Sequence, residues 1–398
     1  MLTRCALALC FVMLPLAPLP PLSAQDASAQ EAAKPIFRYK EAKHGPAELK
    51  YHGKIPVLTV SGTPDEMGEQ IGALQVAVVV DVQKLIEGYV RFRGWQEIYP
   101  WLLKTGSLLE WNFPASHRRE FTAAMKGGKV DRDLLILINT AFDVVSAFAC
   151  STIAAEPERS ASGAPIFGRN LDLPRFAYLH ELTLVTVYHP KDKHAFASVG
   201  FPGLFGVVSG MNDMGLSLAV NEILESKDAA TKFNPFGTPK LFLLRRVLEE
   251  CTTIDEAEKL LNASVRTGMM AVTISDTKEC AVLEVTPKSV IRRRPSEGVV
   301  TCTNHFRSKE LCVNDACRRL DQLEAQRGKQ KFTVNDIGVA LHAANFGELT
   351  MQTMIFEPAS LRLHLAFGQL PSSALPRETL DLTDLLRVKG KGTNGSAR

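Results

Sequence analysis

The spacing of apolar residues changes along the chain, from helical in the first part to strand-like in the second. A long helix is predicted from Asp65 onwards, because Pro64 suits a first turn and the acidic pair Asp65 and Glu66 favours the positive end of a helix dipole. A second helix-like run of apolar residues extends from Leu134 to Phe148. Residues 30–54 are polar and aperiodic, so we expect a loose leader there.

Short segments with a period of two dominate after residue 172, separated by turns rich in Gly, Pro, Asn and Asp. Helical spacing returns in places before a closing hairpin. The predicted strands are 55–60, 182–188, 195–200, 207–210, 216–220, 270–274, 281–285, 299–303, 353–356 and 361–367, and the later predicted helices are 239–261, 314–327 and 334–344.

The N-terminal part carries two further patterns. Gly68 and Gly72 lie four residues apart on one face of the first helix, which predicts close packing against another backbone. Residues 85–130 are rich in aromatic side chains and contain every tryptophan of the chain. We expect these rings in the core, with the lining of an acyl-binding cleft as the alternative.

The helix-like run that ends at Phe148 leads directly to a cysteine, Cys150, and two hydroxyl residues. A polar turn follows over 156–163, and then a second apolar segment that leads into Arg169 and Asp172. If the two segments pair as antiparallel strands, Arg169 and Asp172 return to the side of Cys150. An adjacent guanidinium favours the thiolate, which is the nucleophilic form of cysteine. A buried core thiol beside an ordinary ion pair is the competing interpretation.

Four short motifs occur in the order in which one family carries them. They are the segment 62–72, Cys-Ser-Thr-Ile at 150–153 with Gly-Arg-Asn-Leu-Asp at 168–172, Gly-Met-Asn-Asp-Met-Gly-Leu at 210–216 with a strand that ends in Asn221, and Thr-Asn-His-Phe at 303–306. Together they resemble the N-terminal-nucleophile cysteine hydrolases of the choloylglycine hydrolase and penicillin acyltransferase group. One departure is Ala149, where the family commonly has Gly.

The resemblance implies an α+β fold of the four-layer αββα type, in which two antiparallel sheets stack between helical layers. It also implies cleavage of the chain before Cys150, which would separate an N-terminal helical segment (30–149, an α chain) from a catalytic region (150–398, a β chain). A free α-amine on Cys150 would titrate near ~8 and serve as the general base. No cofactor and no metal are expected.

The same resemblance gives five residues a catalytic role. Cys150 would form the acyl-enzyme, Arg169 would favour its thiolate, and Asp172 would orient its amine. Asn221 and Asn304 would stabilise the tetrahedral oxyanion, a role in which one donor is typically worth ~3 kcal/mol.

Three neighbouring residues are given a structural interpretation instead. His305 follows a strand-end Asn, and we expect it to support the strand rather than form a Cys–His dyad. Arg318 or Arg319 would correspond to an active-site Arg of the bile-salt enzymes, but the solvated face of a helix is the favoured interpretation for both.

Composition and charge exclude some classes of partner. The 398 residues carry a net charge of +3, from 46 basic and 43 acidic residues, without a basic stripe or an acidic tail. Nucleic acid is therefore not expected as a partner. No apolar stretch approaches the ~20 residues of a membrane span, and the oligomeric state is left open.

The N-terminus has the pattern of a signal peptide over residues 1–29. Arg4 supplies the positive region, residues 6–16 are apolar, and prolines follow. Small residues at 27–29 suit a cleavage site, with 22–24 as the competing site. The pattern predicts a secreted or periplasmic protein.

Removal of this signal would leave six cysteines. Once Cys150 is set aside as the nucleophile, five remain, which is an odd number. At least one other cysteine would then be unpaired, while Cys312 and Cys317 would be close enough in sequence to bridge locally. The spacing of Cys and His residues matches no zinc motif.

The expected function is hydrolysis of a linear carboxamide with an apolar acyl group, an N-acyl amine or amino acid of the penicillin or bile-salt type. An acyltransferase of the penicillin acyltransferase type is the first alternative. A papain-like cysteine protease is the second, and it would place Cys150 at the N-terminus of a helix. A non-catalytic binding protein is the third, and a disulfide at Cys150 would favour it.

Overall fold

The computed structural model describes residues 37–387, apart from residues 128–129, 146–147, 176 and 315. The predicted signal peptide therefore lies outside the described residues. The α-helices are α1 Pro64–Phe92, α2 Tyr99–Leu109, α3 Ala115–Ala124, α4 Arg132–Val144, α5 Lys240–Glu250, α6 Ile254–Ala263, α7 Arg318–Glu324, α8 Val334–Ala343 and α9 Thr383–Leu386. The strands are β1 Ala42–His44, β2 Ala47–His52, β3 Ile55–Gly62, β4 Ala149–Ala155, β5 Ile166–Asp172, β6 Leu184–Pro190, β7 Phe196–Gly200, β8 Ser209–Asn212, β9 Ser217–Glu222, β10 Met270–Ser275, β11 Cys280–Val285, β12 Val290–Arg293, β13 Val299–Cys302, β14 Thr350–Glu357, β15 Arg362–Ala366 and β16 Glu378–Asp381.

These strands form a larger and a smaller sheet. The larger has the order β1-β2-β3-β6-β7-β8-β9-β10-β11-β12, and the smaller has the order β13-β4-β5-β14-β15-β16. Neighbours among these described strands are antiparallel except β3 and β6, which pair in parallel from Val57–Val185 to Gly62–Pro190. The first three strands precede residue 150, so the segment before this residue completes a sheet whose other strands come after it.

Side chains alternate between the two faces along each strand. In both sheets, each face carries buried apolar side chains. Between the sheets, Val185 and Ala197 of the larger one share a core with Phe167 and Met354 of the smaller one. On its other face the larger sheet packs against α1, α5 and α6. The smaller sheet packs against α7 and α8 through a separate core. The layers therefore run helix, sheet, sheet, helix, and the predicted αββα fold is confirmed.

The expected loose leader is wrong for residues 42–52, which form β1 and β2. Ala47 and Leu49 of β2 alternate with more exposed polar residues and are 1% and 3% exposed. The alternation covers only a few residues among charged neighbours. The burial of Ala47 and Leu49 becomes evident only once β2 pairs with β3.

No helix within the described part of residues 37–387 is long and apolar enough to cross a membrane.

The glycine prediction in α1 is confirmed by its contact with α3. A Cβ on Gly68 would lie 2.1 Å from the backbone oxygen of Glu120, and one on Gly72 would lie 2.6 Å from that of Ala124. The expectation of a plain aromatic core is wrong for Trp101 and Trp111, which are 70% and 79% exposed.

Candidate active site

Cys150 lies on β4, in an antiparallel hairpin with β5. Cys150 pairs with Leu171, and Ala149 pairs with Asp172. Arg169 shares the sheet face of Cys150, because residues two apart on a strand point to the same side. The strand–turn–strand arrangement predicted for these residues is confirmed.

The thiol of Cys150 is buried and in contact with a guanidinium. Nη2 of Arg169 donates a hydrogen bond to Cys150 Sγ at 3.0 Å. Nη1 of the same side chain donates to the carbonyl oxygen of Val208 at 2.8 Å and to Ser209 Oγ at 2.5 Å, which fixes the guanidinium plane. Cys150 is a free thiol. A disulfide, the feature that would have favoured a non-catalytic binding protein, is therefore not formed here.

Burial raises the pKa of the Cys150 thiol, and Arg169 opposes this increase. Arg169 thus acts in the predicted direction, but loss of solvation outweighs it. In the intact chain the thiol is protonated at neutral pH, so nucleophilic attack requires a base.

Asp172 lies at the end of β5, next to the peptide bond that precedes Cys150. Its Oδ1 accepts a hydrogen bond from Thr350 Oγ at 2.7 Å, and its Oδ2 lies 3.3 Å from Nη1 of Arg319. Burial raises the pKa of Asp172 to about 6, although Arg319, Thr350 and Arg169 all oppose the increase. A carboxylate with this pKa accepts a proton more readily than an ordinary Asp does.

Asn304 holds the backbone of the cysteine. Its Oδ1 accepts the N–H of Cys150 at 2.9 Å and Nη2 of Arg319 at 2.8 Å. Its Nδ2 donates to the carbonyl oxygen of Glu222 at 3.0 Å. The side chain is thus in the centre, as predicted, and one of the two N–H donors of its Nδ2 is used by Glu222.

Asn221 lies one residue before the end of β9, and its contacts differ from those of Asn304. Its Nδ2 donates weakly to the carbonyl oxygen of Cys302 at 3.5 Å, and its Oδ1 is buried without a hydrogen-bond partner among the described residues. The described hydrogen bond of Asn221 is therefore with β13, the strand that leads to Asn304, and not with Cys150.

His305 contacts residues of its own loop. Its Nδ1 lies 3.1 Å from Thr303 Oγ. Burial raises the pKa of the nearby Cys317 thiol, but hydrogen bonds from His305 and Thr303 outweigh this and bring it down to about 6. These contacts agree with the structural interpretation of His305. Cys312 and Cys317 are both free thiols, so the possible local bridge is not formed.

Arg319 is the residue that the sequence analysis misjudged. Its Nη1 donates to the carbonyl oxygen of Cys150 at 2.6 Å, and its guanidinium also reaches Asp172 and Asn304. The prediction of a solvated helix face is thus wrong for Arg319. It is confirmed for Arg318, which is exposed. The resemblance had offered both positions, but sequence alone did not fix the register of α7.

A cavity enclosing about 170 Å³ adjoins this centre. Leu171, which pairs with Cys150, lines it together with Val208, whose carbonyl oxygen binds Arg169. The lining is apolar almost throughout. Its other walls come from α1, α2 and α4 and from the segments that follow α1, α4, β5 and β7: Val82, Leu85, Ile86, Tyr89, Val90, Trp95, Tyr99, Leu102, Leu134, Leu137, Ile138, Ala141, Phe142, Val145, Phe148, Leu173, Pro174, Leu179, Phe201, Pro202 and Leu204.

Trp95 and Tyr99 therefore belong to a cleft wall, the alternative considered for the aromatic segment. Among the described residues, no group of three or more His, Cys, Asp or Glu side chains is arranged to hold a metal ion.

Comparison with known families gives this geometry a context. Residues 159–337 match the family model described as acyl-coenzyme A:6-aminopenicillanic acid acyl-transferase. The predicted resemblance to the penicillin acyltransferase group is confirmed over this range, which is a little under half of the chain. The match indicates an enzyme of the amidohydrolase and acyltransferase type. The matched range contains Arg169, Asp172, Asn221, Asn304 and Arg319, and begins nine residues after the cysteine. A search of the curated proteins gave no match.

Several solved structures are similar in fold. An N-acylethanolamine-hydrolyzing acid amidase ortholog from Caenorhabditis elegans is 18% identical, with a TM-score of 0.42 over 53% of this chain and 93% of that one. A variant of conjugated bile acid hydrolase from Clostridium perfringens is 14% identical, with a TM-score of 0.42 over 59% and 93%. Penicillin V acylase from Agrobacterium tumefaciens is 12% identical, with a TM-score of 0.40 over 59% and 86%.

Proposed function

We propose that the protein is an exported N-terminal-nucleophile amidohydrolase that cleaves a linear carboxamide through a Cys150 acyl-enzyme. The observation that carries the proposal is the 3.0 Å hydrogen bond from Arg169 to Cys150 Sγ, on a strand that begins one residue earlier. Cleavage before Cys150 would leave a thiol and an α-amine on one residue at the end of that strand.

Maturation would proceed by attack of the thiol on the carbonyl carbon of Ala149. The C–N bond to Cys150 breaks, the nitrogen takes up the proton that leaves the thiol, and a thioester joins Ala149 to Sγ. Water then hydrolyses the thioester, which leaves a carboxylate on Ala149 and frees the thiol. Because burial raises the pKa of that thiol, the first step requires a base, and Asp172, with a pKa of about 6, is the proposed base.

Turnover would repeat the same chemistry on a substrate amide. The α-amine of Cys150 accepts the thiol proton, the thiolate attacks the carbonyl carbon, and the amine of the substrate leaves with a proton. Asn304 and Asn221 are the proposed donors to the oxyanion. One N–H of Asn304 Nδ2 already donates to the carbonyl oxygen of Glu222, so its second N–H is the proposed donor. Water then resolves the acyl-enzyme.

The apolar cavity supports an apolar acyl group. Its walls adjoin Cys150 through Leu171 and Val208. Each methylene that is buried there in the transition state contributes roughly 0.8 kcal/mol, or about fourfold in kcat/KM. Catalytic efficiency should therefore rise with acyl length until the cavity is filled.

Two alternative functions are an acyltransferase, in which an acceptor other than water resolves the acyl-enzyme, and a papain-like protease. The name of the matched family favours acyl transfer, but outside the cytoplasm acyl-coenzyme A is not expected, so water is the proposed acceptor. A papain-like protease is disfavoured because Cys150 lies in a strand, and because His305 is engaged by Thr303 and Cys317.

Intact-mass and N-terminal analysis of the recovered protein test the cleavage, and fractionation of the cells tests export. The processed enzyme is then assayed on N-acyl amino acids, N-acylethanolamines, penicillin V, conjugated bile salts and N-acyl homoserine lactones. We expect a chain that begins at Cys150 and hydrolysis of at least one of these classes. A fully active protein without that chain, or cleavage of internal peptide bonds instead, would refute the proposal.

A further inference from the structure

A buried acidic residue, Glu222, lies beside the proposed cleavage site and takes no part in the chemistry described above. It is the last residue of β9 and is 3% exposed. Its Oε2 accepts the backbone N–H of Phe148, two residues upstream of Cys150, at 3.1 Å. Burial is the main cause that raises the pKa of the Cys150 thiol, and the charge of Glu222 adds to it, as expected for a carboxylate close to the sulfur.

The backbone of Glu222 is tied to the same centre from the other side. Its carbonyl oxygen accepts Nδ2 of Asn304 at 3.0 Å, and Oδ1 of Asn304 accepts the N–H of Cys150 at 2.9 Å. Phe148 and Cys150 are therefore both anchored, directly or through Asn304, to one residue. Ala149, whose carbonyl carbon would be attacked, lies between the two anchored positions.

We propose that Glu222 is a positioning residue for the cleavage before Cys150. Its carboxylate holds the N–H of Phe148 and thereby keeps the Ala149 carbonyl within reach of the cysteine thiol. This inference rests on the proposed function, since it assigns a role in the proposed maturation step.

Positioning of this kind has a large effect on an intramolecular reaction. Attack requires the reacting atoms at ~3–3.5 Å, and a displacement of ~1 Å can cost about 100-fold in rate. A hydrogen bond to a charged acceptor corresponds to a factor of roughly 10 to 100 in an equilibrium. Loss of the carboxylate should slow cleavage by a factor in this range.

The test compares the decay of the intact full-length chain in a pulse-chase for wild type, Glu222→Ala, Glu222→Gln and Glu225→Ala. Substitution of the side chain leaves the backbone carbonyl that binds Asn304 in place. Glu222→Ala should be cleaved roughly 10 to 100 times more slowly than wild type. Glu222→Gln keeps an oxygen that can accept the N–H of Phe148 and should recover most of the rate. Glu225 is exposed three residues downstream and serves as the matched control.

Two results would overturn the inference alone. One is cleavage of Glu222→Ala at the wild-type rate. The other is equal slowing of Glu222→Ala and Glu222→Gln, which would give the carboxylate a role other than accepting the N–H of Phe148. A wild-type chain that stays intact in active protein would instead refute the proposed cleavage, and this inference with it.

Discussion

Replacement of Asp172 by Asn, in a chain that also carries Cys150→Ala, should change how stability depends on pH. Cys150→Ala keeps the chain intact, so that the carboxyl group stays in the environment described above. Burial raises the pKa of Asp172 from an ordinary 3.8 to about 6. The native protein therefore binds this proton more tightly than the unfolded chain does.

This difference in proton affinity determines the direction in which stability changes with pH. The stabilisation from the bound proton is fully present only well below pH 3.8, where both states are protonated, and it is lost as pH rises through about 6. A change in pKa from 3.8 to about 6 is worth about 3 kcal/mol, most of which is lost between pH 4 and pH 7.5. The amide introduced by Asp172→Asn does not titrate, so the substitution removes this contribution.

Urea unfolding of the Cys150→Ala protein and of the Cys150→Ala, Asp172→Asn protein at pH 4 and pH 7.5 measures the effect. The free energy of unfolding should fall by about 2–3 kcal/mol more in the protein that keeps Asp172. Other buried acids, such as Asp143, are present in both proteins and cancel in the comparison. An identical pH dependence of the two proteins would show that Asp172 does not titrate in this window.

Four other substitutions have outcomes that follow from the contacts of the residues they replace. Cys150→Ala should abolish processing and activity while the fold survives, and Arg169→Ala should remove most activity without a comparable loss of thermal stability, both read by intact mass, assay and thermal melting. Arg319→Ala removes the contacts with the Cys150 carbonyl and Asp172, and should reduce activity at least tenfold, whereas the exposed Arg318→Ala should retain it. Ala141→Phe, which fills part of the cavity, should lower kcat/KM for long acyl chains far more than for short ones.

Local pattern was sufficient to predict the part of the centre that is local in sequence. Cys150, Arg169 and Asp172 lie on one hairpin, so the alternation of apolar residues and one turn fix their proximity. Asn304 could be found because it follows directly on a strand with a recognisable motif. The helix contact at Gly68 and Gly72 was visible for a similar reason, since a missing side chain permits close approach.

The remainder of the centre depends on distant parts of the chain. Arg319 reaches Cys150 only because the loop after Asn304 returns α7 to the smaller sheet, and no periodicity sets the length of that return. The contact of Glu222 with Phe148 joins residues 74 apart and depends on how the two sheets stack. For β2, burial follows from pairing with β3 rather than from the apolar content of β2 itself.

The connection between the two parts of the chain leads to a last prediction: the fragments made by cleavage before Cys150 should stay associated. Strand β3 of the N-terminal segment pairs with β6 of the catalytic region, and Glu120 of α3 binds Arg245 of α5 at 2.6 Å with both side chains buried. Native gel filtration should recover both fragments in one peak, and denaturant should separate them. Glu120→Gln removes one of the two buried carboxylates that pair with Arg245, the other being Glu249 of the same fragment as Arg245, and should lower the denaturant concentration at which the fragments part. A catalytic fragment that elutes alone, folded and active, would contradict this reasoning, because the larger sheet would then be stable without β1, β2 and β3.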